Sequence, residues 1–134
     1  PGAEGARILL ARADIADRRL VEGLERRGAR VEQYVAYRTV PGDEDAPALR
    51  RALAAGAVDI VTFTSSSTVR NLCQALGDDV PSLLSGLVVA CIGPVTAETA
   101  RECGLAPAIV AEEHTIDGLV AAIRGHLAQS GPSR

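Results

Sequence analysis

At 134 residues and 47% hydrophobic content the chain is one domain's worth, large enough to bury a sizeable core. Aromatic residues make up only 2%, with no Trp and a single Phe, which argues against the stacking platforms of single-strand nucleic-acid binders. A net charge of -3 leaves no overall basic field to attract polyanions, so any anion site must be local.

All fourteen basic residues are Arg, which excludes Schiff-base chemistry by a lysine of this chain. Cys73, Cys91 and Cys103 are odd in number and lack CxxC spacing, so they read as reduced core residues of a cytosolic protein. No apolar run approaches a membrane span and no signal-peptide pattern opens the chain, so the expected location is cytoplasmic. The chain begins at Pro1 rather than Met, as expected of either a fragment of a longer protein or a trimmed chain.

In chain order, the run RILLA, 7–11, predicts a first strand. Residues 15–27 place Ala16, Leu20, Val21 and Leu24 on one helical face and stop at Gly28. VEQYVAY, 31–37, predicts a second strand that closes on Tyr37. Residues 38–45 (RTVPGDED) form a polar link, read as either a surface loop or a crossing between domains. A helix over 47–55 opens with Pro47 and ends at Gly56, and a strand over 58–63 follows.

After it comes the hydroxyl run Thr64, Ser65, Ser66, Ser67, Thr68. A helix over 67–76 carries Val69, Leu72, Cys73 and Leu76 at helical spacing. The run LVVACI, 87–92, gives a fourth strand, then Gly93 and Pro94 open a helix over 94–103. A fifth strand covers 108–111. Thr115 is the expected N-cap of a last helix that aligns Ile116, Leu119, Val120, Ile123 and Leu127, and 129–134 read as a flexible tail. This alternation predicts one α/β unit, a flavodoxin-like three-layer domain with a mainly parallel five-stranded sheet.

In such a sheet ligands bind at the carboxyl ends of the strands. Three junctions fall there: Thr64–Thr68, Ile92–Thr96 with Gly93, Pro94 and Thr96, and Glu112–Thr115. Each brings a helix N-terminus and hydroxyls, a combination suited to carboxylate or phosphate, with about 0.3–1 kcal/mol from each exposed helix end. The plainer reading makes Ser66 or Ser67 and Thr115 helix caps and Gly93-Pro94 a tight turn. Neither GxGxxG nor GxxxxGK[ST] is present, and the central strand lacks the terminal aspartate of a phospho-acceptor. His114 beside Glu112 and Glu113 reads as a solvated loop rather than a metal corner, and no serine sits in a recognisable triad motif. Tyr37, ending an apolar strand, is either a general acid or an amphipathic plug.

The order ILLARADIADRRLVEGLERRGARVEQYVAYRTVP, VDIVTFTSSSTVRNL, VACIGPVTAETARECGL, AEEHTIDGLVAAI resembles the C-terminal half of uroporphyrinogen-III synthases, from Arg7 to Leu127. The TSSSTV junction, IGPVTA before a helix and the VxxYRT strand end are its most specific pieces. The resemblance implies closure of hydroxymethylbilane to uroporphyrinogen III, with loss of water and inversion of ring D, in haem, sirohaem and cobalamin synthesis. It implies no metal or organic cofactor, no nucleic-acid or membrane partner, and a substrate rich in carboxylates.

By similarity Tyr37 matches a tyrosine that assists departure of the substrate hydroxyl. Ser65, Ser66, Ser67 and Thr68, with Gly93, Pro94 and Thr96, match loops lining the cleft. The family's cleft lies between two α/β domains, so this chain, with one, is expected to be inactive alone. It is expected either to close on itself as a five-stranded unit or to exchange residues 1–40 with a second copy. The alternatives are a non-enzymatic flavodoxin-like module binding a carboxylate-rich or phosphorylated small molecule, and a structural half-domain used only for association.

Overall fold

The computed structural model describes residues 2–13, 18–37 and 46–131, with side chains at all of these except 12, 13 and 35–37. The order is β1 (Arg7–Ala13), α1 (Arg19–Glu25), β2 (Arg30–Tyr37), α2 (Ala46–Ala54), β3 (Ile60–Phe63), α3 (Ser66–Leu76), a 3-10 turn (Gly77–Asp79), α4 (Val80–Leu83), β4 (Val88–Cys91), α5 (Pro94–Glu102), β5 (Pro107–Val110) and α6 (Ile116–Ser130). The five strands form one sheet in the order β2-β1-β3-β4-β5. Every pairing is parallel. β1 pairs with both β2 and β3 of the same chain, so the unit closes on itself as a five-stranded sheet.

Side chains alternate across the strands and divide the core in two. Leu9, Ala11, Val61, Phe63, Val89 and Cys91 face the cluster covered by α2, α3, α4 and α5. Ile8, Leu10, Ile60 and Ala90 face the cluster under α1 and α6, with Leu20, Leu24, Leu119 and Ile123. Each such large side chain, taken out of water, contributes about 1.5–3 kcal/mol before entropy is counted. The result is the three-layer α/β architecture that strand–helix alternation predicts.

The expected boundaries move in places. The third strand starts at Ile60, not at residue 58. Asp59 instead turns its carboxylate onto β1, where Oδ2 accepts from the Arg7 backbone N–H at 2.8 Å and Oδ1 lies 3.1 Å from Nη2 of Arg7. Between α3 and β4 the 3-10 turn and α4 were not foreseen; Pro81 sits in the first turn of α4, and Val80 and Leu84 plug the core. The tail expected from residue 129 is helical through Ser130, whose hydroxyl donates to the His126 carbonyl at 2.9 Å. The link 38–45, the start of the helix expected from residue 15, and the tail from 132 lie outside the described residues. No described helix is long and apolar enough to cross a membrane.

Candidate functional site

Because β3, β4 and β5 are adjacent and parallel, their carboxyl ends deliver the N-termini of α3, α5 and α6 to one edge of the sheet. The hydroxyl run does two jobs there. Ser65 is the N-cap of α3, extended at φ -159°, and its Oγ accepts from the Thr68 N–H at 3.2 Å. The same oxygen lies 2.5 Å from Thr68 Oγ1 and 3.0 Å from Ser67 Oγ. Thr68 is buried, Thr64, Ser65 and Ser66 are half-buried, and Ser67 is exposed. Ser65 and Thr68 therefore fix the turn, while Ser66 and Ser67 face outward.

Ser66 ties this junction to the next. Its Oγ lies 2.9 Å from Thr99 Oγ1 and 3.5 Å from the Val95 carbonyl, and Thr99 in turn donates to that carbonyl at 3.1 Å. The first turns of α3 and α5 are thus held together by hydroxyls. α5 has no side-chain cap: Gly93 stands at its N-cap and Pro94, exposed, at N1. Pro94 has no N–H, so the free donors of that end are the amides of Val95 and Thr96. Val95 is 75% exposed, whereas the Thr96 side chain is buried at 5%.

Gly93 is extended, at φ -170° and ψ 178°, a conformation open to any residue. A Cβ there would stand 3.0 Å from Cδ2 of His114, so a side chain at this position would press on the exposed imidazole. The exposed imidazole of His114 lies against the Gly93 backbone and brings the third junction up to the second. Thr115 caps α6, accepting from the Gly118 N–H at 3.0 Å. Gly118 abuts the Glu113 carbonyl so closely that no side chain fits.

Of the residues singled out in the sequence, Thr64 to Thr68, Gly93, Pro94, Thr96 and Thr115 lie at one edge, with Thr68 and Thr96 turned inward. The side chain of Tyr37 lies outside the described residues. Its backbone ends β2 at the same carboxyl edge, two strand spacings from β3, about 10 Å. Two participants were missed. Thr99 sits one turn beyond Val95 and looks like ordinary helix filling; only the i, i+4 placement beside a hydroxyl run hints at its contact. His114 contacts Gly93, which its acidic neighbours in the sequence give no reason to expect.

At α3 and α5 the rim offers neutral donors and helix N-termini, whereas at α6 Glu112, Glu113 and Asp117 stand exposed beside Thr115. Cys91, at the end of β4, is fully buried and its thiol is pushed up to about 11 by burial, so it stays protonated and supplies no nucleophile here. Among the described residues no group of three or more His, Cys, Asp or Glu is placed to hold a metal ion. An open groove of about 550 Å³ runs elsewhere, between the β5 edge and α6, past Glu112, Glu113, Gly125 and His126. Its two glutamates suit it poorly to anions.

Residues 1–121 match the family model described as uroporphyrinogen-III synthase HemD. The uroporphyrinogen-III synthase of Synechococcus elongatus is 36% identical over 129 residues, covering 89% of this chain and 47% of that protein. A putative uroporphyrinogen-III synthase of Methanothermobacter thermautotrophicus is 37% identical over 125 residues, covering 90% and 49%. Among solved structures, uroporphyrinogen III synthase of the extremely thermophilic bacterium Thermus thermophilus superimposes with a TM-score of 0.61 at 26% identity, covering 95% of this chain and 52% of that one. The chain thus spans about half the length of each of these relatives.

Proposed function

The chain belongs to the uroporphyrinogen-III synthase family, and from that premise we propose that it supplies one of two α/β halves of an enzyme closing hydroxymethylbilane to uroporphyrinogen III. The observation that carries this reading is the Ser66–Thr99–Val95 link, which sets two helix N-termini side by side at the carboxyl edge of the sheet. Amide and hydroxyl donors there suit the acetate and propionate groups of a tetrapyrrole. The exposed Val95 offers apolar contact to a pyrrole face beside them. Ser65, Ser66, Ser67, Gly93, Pro94 and Thr115 form the proposed binding rim, with Thr64, Thr68 and Thr96 shaping it from beneath.

The reaction needs a leaving hydroxyl and a correct geometry. Tyr37 is the proposed general acid; a proton from its phenol lets the hydroxyl depart as water. Inversion of ring D then depends on holding the chain so that the substituted carbon of that ring meets the electrophile, which is proximity and orientation rather than covalent catalysis. The other half of the relatives' length would complete the cleft, with residues 38–45 as a crossing to it. On this reading the chain alone does not turn over.

A coupled assay from porphobilinogen, with the deaminase present and the parent protein intact, tests it. Type III uroporphyrinogen is the expected product; type I alone removes the reading. Tyr37→Phe in the parent is expected to slow closure by about 10²–10⁴-fold while the fold is retained. An unchanged rate takes the general-acid role away from Tyr37.

A further inference from the structure

α3 and α5 pack side by side on one face of the sheet. Their first turns are linked through Thr99 and Ser66. Farther along the pair lie two cysteines, Cys73 near the C-terminal end of α3 and Cys103 at the C-cap of α5. Both are half-buried, and both pack against the same apolar cluster. The thiols are neighbours: Cys73 is pushed up to about 12, first by burial and then by the adjoining Cys103 thiol. Facing positions on helices packed at 8–10 Å bring Cα atoms into the range of about 4.4–6.8 Å that a disulfide spans.

We propose that Cys73 and Cys103 are a disulfide-forming pair, free dithiols in this structure that a small disulfide oxidant closes into an intramolecular cross-link between α3 and α5. One cysteine, as thiolate, attacks a sulfur of the oxidant and expels one of its thiolates. The second then attacks the protein sulfur of the mixed disulfide and expels the other. The pair loses two protons and two electrons; the oxidant's S–S bond becomes two thiols. Half-burial leaves both sulfurs open to a small reagent, whereas Cys91 is sealed in the core. The high proton affinity of Cys73 makes closure faster as pH rises, since the thiolate is the attacking species. The new bond closes a loop that contains α4, β4 and α5 and restricts the unfolded chain accordingly.

The test uses the chain as it stands and is independent of the synthase reading. It is incubated with glutathione disulfide at about pH 8.5, and thiols are counted after denaturation. A fall from three to one is expected, together with a monomer two mass units lighter. Cleavage ahead of Asp78 and after Arg101 puts Cys73, Cys91 and Cys103 on three separate peptides, so mass spectrometry identifies the linked pair. Cys73→Ser and Cys103→Ser are each expected to abolish the cross-link. The oxidised chain should melt about 10 °C higher, a shift that dithiothreitol reverses. Three remaining thiols, a bond to Cys91, covalent dimers or a lowered melting temperature would each overturn the proposal.

Discussion

Thr99 shows how one hydroxyl governs a rim it does not itself present. Its side chain is buried at 4%, yet Oγ1 reaches both Ser66 Oγ and the Val95 carbonyl, so the outward-facing Ser66 is held by a residue inside the packing. Replacing Thr99 with Val keeps the shape and removes the donor. Thr99→Val is expected to cost about 0.5–1.5 kcal/mol in urea unfolding. No change would mean that Ser66 and Val95 are set by their helices alone. Thr96, the neighbouring hydroxyl that the sequence placed on the ligand, is buried; Val95 beside it is the exposed residue of that turn. Chain order places both at the strand end but not which of them points outward, because that depends on how α5 rolls against α3.

The strands were legible as elements because apolar runs between glycine-stopped helical patterns have few other solutions, and the order of five βα steps followed. Ends were less legible. Asp59 looks like part of a strand until its bond to Arg7 is seen, and α4 is too short for periodicity to reveal. At Gly93 the neighbour against the backbone is His114, a contact that chain order does not reveal. Of the caps, Thr115 stands where expected and accepts from the Gly118 N–H, whereas α3 is capped by Ser65 rather than by Ser66 or Ser67, with the Thr68 N–H as donor. Ser65→Ala removes one such cap and leaves Thr68 without its hydroxyl partner. A loss of about 1 kcal/mol is expected in thermal or urea unfolding, with α3 otherwise retained. A loss within about 0.3 kcal/mol of zero would assign the serines no part in ordering that turn.

At the scale of the molecule, β1 supplies the join between β2 and β3, and the first strand–helix–strand completes a sheet that needs no second copy. Light scattering on the isolated chain is therefore expected to give the mass of one chain at high concentration; a dimer would bring back exchange of residues 1–40. What the sequence left open here is whether those residues pack on their own chain, since apolar strands of similar pattern can pair in either arrangement.

The proposed rim itself is most directly tested by titrating metal-free uroporphyrin into the 15N-labelled chain and following backbone amides. Gripping of carboxylates at the sheet edge predicts the largest shifts at Ser66–Thr68, Val95–Thr96 and the first turn of α6. Shifts confined to the far part of the groove, at Ala121, Ala122, Gly125 and His126, or to none of these amides, would contradict it.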